Sequence, residues 1–183
     1  MTQNQALEIL KRYTTKPNLI KHALAVAAAM RHFAQMRGED PEYWAVIGIL
    51  HDIDYELYPE EHCNKCAELL KTEGLPDSVI HAVRSHGYEI CCDVEPLTYM
   101  EKILGIVDQL TGFIIACALI RPEKNLDVVT LDSMKKRWAN PQFAAGTKRD
   151  RIQIRCDRLG VELDYMLEQT LVALKTIAND LGM

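Results

Sequence analysis

Long hydrophobic runs, alternating strand patterns and a leader-like N-terminus are all missing from this 183-residue sequence. A membrane-spanning helix needs about 18 to 20 consecutive apolar residues, and the longest candidate, residues 103–120, is interrupted by Asp108, Gln109 and two glycines. The first residues, Met1 to Gln5, lack the basic and then apolar pattern of a secretory signal. We therefore expect a soluble, cytoplasmic protein without a membrane partner.

Cysteine is present, but nothing in its pattern requires a disulfide framework. In a chain of this size without an export signal, reduced thiols are the expected state. Cys63 follows His62 directly and Cys66 lies three residues further on, so a zinc site completed by Cys91 and Cys92 is one further interpretation. A redox Cys-x-x-Cys motif normally begins a helix after a strand, and this chain shows no strand pattern. We favour an arrangement in which His62 faces a catalytic metal and Cys66 faces the core.

The charge balance argues against a nucleic-acid polymer as partner, because the net charge is -5. One segment departs from this balance. Residues 121–158 carry ten basic and five acidic side chains, whereas the rest of the chain carries eleven basic and twenty-one acidic ones. Such a segment could contact phosphate, or it could be a solvated face of surface helices. The oligomeric state stays open from sequence, and a homo-oligomer is one option.

Helical periodicity runs through almost the whole sequence and predicts an all-α fold. Helix-start signals include Thr2, Asp40-Pro41, and Thr98 with Glu101 three residues later. We predict a single domain over residues 1–183, with a metal-site core at about 18–120 and C-terminal helices at 130–183 packed on it. The predicted helices cover residues 2–14, 17–38, 40–52, 61–73, 77–86, 98–121, 132–139, 148–159 and 163–181.

Four metal-ligand side chains lie in three of these helices. The apolar run at 43–50 ends in His51-Asp52, and His22 lies among small residues of the second helix. Asp108 falls mid-helix in an apolar stretch, where a carboxylate needs a cation, hydrogen bonds or a raised pKa. Two imidazoles and two carboxylates suit a catalytic divalent ion such as Mn, Fe, Ni, Co, Mg or Zn.

The order of these residues resembles the motif of the HD-domain metal-dependent phosphohydrolases, over roughly residues 18–120. The resemblance implies an HD-type helical bundle in which one divalent metal ion is held by His22, His51, Asp52 and Asp108. Some members carry further histidines that bind a second metal ion, and His62 and His86 match those positions. The resemblance therefore implies one or two ions, with Asp52 as a candidate bridge.

Other polar residues near the motif have weaker assignments. His81 lies about 140° around the helix from His86, so the two are not expected to face one metal. Asp54 or Glu56 could orient a ligand, but solvation in a loop is the favoured interpretation. Phosphate contacts could come from the basic segment if its helices fold back over the metal, through Lys135, Lys136, Lys148 and Arg149.

The function that follows is hydrolysis of a nucleotide or other small phosphate ester by metal-activated water. Asp52, Asp108 and His51 are the candidate catalytic residues. Two alternatives stay open from sequence. One is an HD-type di-iron oxygenase, since imidazole and carboxylate ligands also support oxygen chemistry. The other is a non-enzymatic helical module whose metal ion is structural.

Overall fold

Ten α-helices and no β-strand form the computed structural model, which describes residues 1–183. This architecture confirms the predicted all-α fold class. Two 3₁₀ turns, Pro59–Glu61 and Leu126–Val128, lie between helices. The helices are α1 (Gln3–Leu10), α2 (Pro17–Arg37), α3 (Pro41–Leu50), α4 (Cys66–Thr72), α5 (Asp77–Ser85), α6 (Tyr99–Leu119), α7 (Leu131–Trp138), α8 (Arg149–Leu159), α9 (Leu163–Lys175) and α10 (Ala178–Leu181).

The predicted helix starts are confirmed where a capping side chain was recognised. Thr2 and Thr98 each form a complete capping box, and the Asp40 side chain accepts hydrogen bonds from the amides of Glu42 and Tyr43. These bonds satisfy amide groups that have no partner within the first helical turn. The starts of α1, α3 and α6 are therefore fixed by local sequence.

Two predicted helices differ from the structure. The helix predicted at 61–73 begins only at Cys66, because Cys63 has a left-handed backbone (φ 66°) that a continuous helix cannot include. His62 therefore lies in a loop and does not open a helix. The helix predicted at 163–181 is divided into α9 and α10, and Ile177 lies between them with non-helical backbone angles.

The hydrophobic core is one cluster of 46 buried residues that runs from Ala6 in α1 to Leu181 in α10. Helix α6 crosses its centre and contacts α2, α5, α8 and α9. By length and composition α6 could cross a membrane, but 61% of its most apolar window is buried inside the fold. It has the burial expected of a central core helix.

Helices α2 and α3 approach each other closely at Gly48, one turn before His51. A β-carbon at residue 48 would lie 2.7 Å from Cα and 2.9 Å from the backbone nitrogen of Ala27. Backbone atoms cannot move aside as a flexible side chain does. The close contact therefore sets the spacing between the helices that carry His22 and His51.

We expect Gly48→Ala to lower the free energy of unfolding by about 1–3 kcal/mol, the usual cost of overpacking a core. Chemical denaturation of both proteins measures the change. Gly112→Ala in α6 is the matched control, because a β-carbon there meets no atom within 4 Å. Equal stability of Gly48→Ala and the wild type would show that α2 and α3 can separate without cost.

Candidate metal centre

Four side chains converge at one end of the core, one from α2, two from the turn that follows α3 and one from α6. His22 Nε2 lies 3.1 Å from Asp108 Oδ1 and 3.2 Å from His51 Nε2. Asp52, in the turn after α3, places Oδ2 3.4 Å from His51 Nε2 and 3.6 Å from His22 Nε2. His51 Nε2 is 3.5 Å from Asp108 Oδ1. We call these four residues the first ligand group.

A second group shares Asp52 with the first. The other carboxylate oxygen, Asp52 Oδ1, lies 3.4 Å from His62 Nε2 and 3.5 Å from His86 Nε2. The two Nε2 atoms are 3.2 Å apart. His62, His86 and Asp52 form the second ligand group, and Asp52 presents one oxygen to each group.

The spacing and chemistry of both groups fit a divalent metal ion. Metal bonds of about 2.0–2.2 Å to nitrogen and oxygen place two ligands of one ion roughly 2.8–3.6 Å apart at ordinary bond angles. Every pair given above lies between 3.1 and 3.6 Å. The six residues named from sequence are thus brought together in an arrangement that can hold a metal.

Backbone carbonyls fix the orientation of two of the imidazole rings. His51 Nδ1 lies 2.8 Å from the carbonyl oxygen of Gly48, and His86 Nδ1 lies 2.5 Å from that of Val83. A ring that donates its Nδ1–H to a carbonyl directs an Nε2 lone pair into the site. Since such lone pairs repel each other, a proton or a metal ion is needed among them.

Burial and charge act in opposite directions on the ionisable groups. Burial would raise the pKa of Asp108, but hydrogen bonds and charge from His22 and His51 outweigh it and hold that pKa well below its usual value. The pKa of Asp52 is also lowered well below its usual value, because charge and a hydrogen bond from His51, with contributions from His86 and His22, outweigh burial. Burial lowers the pKa of His51, yet the two carboxylates raise it well above normal. Without a metal, the two carboxylates therefore favour a proton on His51.

Asp54 is a site residue that the sequence interpretation placed in solvent, and that interpretation is wrong. Asp54 is fully buried, its Oδ1 lies 2.8 Å from His62 Nδ1, and its Oδ2 accepts the amide of Cys66. A carboxylate behind a ligand histidine fixes the ring and increases its basicity. Glu56, in contrast, accepts hydrogen bonds from Thr15 away from the ligand groups.

The ligand groups open into a cleft of about 480 Å³. Its walls beyond the ligands are mainly small or apolar, and no lysine or arginine lines it. Gln109 connects this wall to the site: its side-chain nitrogen donates to Asp108 Oδ2, and its oxygen accepts the Lys148 amide. The non-ligand lining consists of Leu19, Tyr55, Gly87, Ile90, Cys91, Gln109, Gly112, Ala144, Gly146 and Thr147.

The four basic side chains predicted to contact phosphate do not line this cleft. Lys135 pairs with Asp164 on the surface, and Lys136 lines a different depression. Lys148 approaches the site only through its backbone amide. The Arg149 guanidinium donates to the carbonyls of residues 138, 140 and 143, so it fixes the chain between α7 and α8.

Two of the four thiols of the zinc site considered above are directed at backbone carbonyls. Cys66 directs its Sγ to the carbonyl of Cys63, and Cys92 directs its Sγ to that of Arg84. Cys63 alone lies within ligand distance of both His62 and His86. His81 pairs with Glu101 and not with the ligand groups, as its helical position indicated.

Arg155 in α8 is a second residue that the sequence did not identify. Its guanidinium donates to the carbonyls of His86, Tyr88 and Gly105, and it has no carboxylate partner. A β-carbon at Gly105 would lie 2.7 Å from Arg155 Nη1, so glycine makes room for it. Arg155 thus ties the end of α5, which carries His86, to the turn of α6 that precedes Asp108.

We expect Arg155→Met to weaken manganese binding by about 10- to 100-fold, the range seen when outer partners of metal ligands are removed. Calorimetric titration measures the affinity, and Arg155→Lys should restore only part of it because lysine lacks the planar fork. Arg151→Met is the control, since Arg151 pairs with Glu89 on the exposed face of the same helix.

If Arg155→Met binds manganese as tightly as the wild type, Arg155 does not position the metal ligands and contributes only to packing. Gly105→Ala provides a second test if the methionine variant does not fold. Its added methyl group displaces the Arg155 guanidinium from these carbonyls but does not remove the positive charge from the protein.

Comparison with known proteins agrees with this geometry. A family model described as HD domain matches residues 19–112, which include all six ligand residues. Residues 113–183, with Arg155 and part of the cleft wall, lie outside the match. No solved structure matches the chain. The match covers half of the sequence, and the chain belongs to the HD domain family.

Proposed function

We propose that this protein is a metal-dependent phosphohydrolase that uses two divalent ions and acts on a small phosphomonoester. Membership of the HD domain family points to metal-dependent hydrolase chemistry. One observation carries the finer proposal: the two oxygens of Asp52 each face a different group of histidines. Such a carboxylate is suited to bridge two cations in one site.

The residues have distinct roles in this proposal. His22, His51 and Asp108 would hold the first ion, and His62 and His86 would hold the second. Asp52 would be a ligand to both, and Asp54 behind His62 sets the direction of that ring. A divalent ion supplies a Lewis acid for the phosphoryl oxygens and lowers the pKa of water.

The chain itself contributes orientation and charge. Asp52, Asp54 and Asp108 place three negative charges at the site, which favours cations over a neutral occupant. Gln109 holds the free oxygen of Asp108 and anchors the Lys148 amide, so the loop at 144–147 lies along the cleft wall. This loop and Tyr55 are positioned to contact the part of a substrate that extends from the metal site.

The lining of the cleft favours a substrate with one phosphate group and an otherwise uncharged structure. A phosphomonoester group carries about 1.5 to 2 negative charges near neutral pH, each further phosphate adds to that charge, and such groups usually pair with arginine or lysine. No such side chain lines the cleft, so metal ions are the available partners for phosphate charge. A volume of about 480 Å³ with apolar walls such as Leu19 and Ile90 is adequate for a mononucleotide-sized molecule.

A substrate panel tests this proposal. Nucleoside 5′-mono-, di- and triphosphates, aryl phosphates, dinucleoside polyphosphates and cyclic dinucleotides are incubated with manganese, nickel or cobalt. We expect kcat/KM to be highest for monophosphates and to fall with each added phosphate. Failure to hydrolyse any member with any of the metals would contradict the proposal.

Oxygen chemistry is the second candidate, and the same lack of cationic side chains favours it. A cleft without lysine or arginine suits an uncharged substrate as well as a singly phosphorylated one. Iron bound by imidazole and carboxylate ligands supports oxygenase reactions. Metal analysis of protein purified without added metal, together with an optical spectrum in air, separates the two. An iron-loaded protein whose spectrum changes with oxygen and substrate would favour the oxygenase.

A further inference from the structure

Two thiols from separate loops meet beside the second ligand group. The Sγ atoms of Cys63 and Cys91 are 2.8 Å apart, and Cys63 Sγ lies 3.7 Å from His86 Nε2. Cys63 is buried, whereas Cys91 is partly exposed and lines the cleft. Twenty-eight positions separate them in sequence, so their contact comes from the fold and not from a local motif.

The surrounding chain makes room for this contact. A β-carbon at Gly87 would lie 2.3 Å from Cys63 Sγ and 2.5 Å from Cys91 Sγ, so any larger residue there would occupy the space of both thiols. Cys63 itself holds a left-handed backbone, which is uncommon for a residue other than glycine. The contact between the two sulfurs therefore depends on a glycine at residue 87 and on the left-handed backbone of Cys63.

Hydrogen bonds hold both thiol-bearing segments in place. The Gly87 carbonyl accepts the amides of Ile90, Cys91 and Cys92, which folds residues 87–92 into a tight turn. On the other side, the Arg84 guanidinium donates to the carbonyl of Cys63. Both sulfurs are thus presented to each other by backbone that is fixed independently of the thiols.

We propose that Cys63 and Cys91 form a reversible redox-active dithiol that is oxidised by hydroperoxides. Cys91, which faces the cleft, attacks the peroxide O–O bond, forms a sulfenic acid and releases one water or alcohol molecule. Cys63 sulfur then displaces the hydroxyl group as a second water and forms the disulfide. Both thiol protons leave in the two products, the thiols lose two electrons, and the peroxide gains them. A low-molecular-weight dithiol reverses the change.

Oxidation should also affect the metal site, and this part rests on the proposed function. A disulfide bond is about 2.05 Å long, so closure shortens the sulfur separation by roughly three-quarters of an ångström. Cys63 directly follows His62, and Gly87 directly follows His86. Since ligand sites need placement within about 0.5 Å, we expect oxidation to weaken binding of the second metal ion.

The experiment uses the full-length, reduced protein treated with hydrogen peroxide. Intact mass should fall by about 2 Da through loss of two hydrogens, and peptide mapping should find Cys63 joined to Cys91. Cys63→Ser and Cys91→Ser should each abolish this product. Cys92→Ser is the matched control, because its Sγ points to the Arg84 carbonyl. Dithiothreitol should restore the original mass.

Metal counting separates this proposal from the proposed function. Oxidised protein should retain one manganese ion where reduced protein binds two. If reduced protein binds none, the proposed function fails while the disulfide can still be mapped. Absence of the Cys63–Cys91 disulfide, or a dominant Cys91–Cys92 disulfide, would overturn the proposal of a redox-active dithiol. Loss of manganese from reduced Cys63→Ser would assign that thiol to the metal and would also overturn it.

Discussion

Asp52→Asn is expected to reduce the metal content from two ions per chain to nearly none and to lower kcat/KM by about a thousandfold or more. Asparagine keeps the shape of the side chain, but it removes the negative charge and one ligand oxygen. Because each Asp52 oxygen faces a different histidine group, both groups lose a ligand at once. Elemental analysis of dialysed protein and steady-state kinetics measure the two effects.

Two further variants serve as controls for Asp52→Asn. Asp93→Asn makes the same chemical change at an exposed residue outside the site and should leave metal content unaltered. His62→Ala should remove only the second ion, since His62 contacts one oxygen of Asp52. Retention of both ions in Asp52→Asn would show that Asp52 does not bridge the groups.

Metal binding is expected to raise the thermal midpoint by about 8–16 °C. At a free metal concentration a thousandfold above Kd, binding contributes about 4 kcal/mol, and each kcal/mol shifts the midpoint of a domain this size by roughly 2–4 °C. Differential scanning calorimetry of chelator-treated and manganese-loaded protein measures the shift. Asp52→Asn should lose most of it.

The size of this shift should increase from pH 6 to pH 8. The pKa of His51 is raised in the folded protein, so protonation of His51 stabilises the folded, metal-free protein below about pH 6.5, the pKa of histidine in the unfolded chain. This stabilisation is lost as the pH rises through the folded pKa. The lowered pKa values of Asp52 and Asp108 contribute above about pH 4 and are lost only in stronger acid. A metal ion must displace the histidine protons, so a shift that is equal or larger at pH 6 would contradict this description.

Local sequence was sufficient to predict the features that depend on local physics. Capping residues such as Thr98 mark helix starts, and helical periodicity identifies the fold class. A carboxylate in an apolar helix needs a partner, which identifies Asp108 from sequence, and the structure places His22 beside it. The order of the histidines and aspartates then indicated which helices meet.

The features that were missed depend on contacts between distant segments. Asp54 looks like any loop carboxylate until the fold buries it behind His62. Arg155 is one of ten basic residues in its segment, and only the packing of α8 on α6 distinguishes it from a surface arginine. The Cys63 backbone is left-handed, which no propensity of cysteine predicts. Lys135 and Lys136 carry the charge expected of phosphate ligands, but Lys135 pairs with Asp164 and Lys136 lines a different depression.

Anomalous diffraction from crystals of the manganese-loaded protein tests the two-ion site most directly. We expect two peaks on either side of the Asp52 carboxylate, one among His22, His51 and Asp108 and the other between His62 and His86. A single peak, or peaks away from Asp52, would contradict the account.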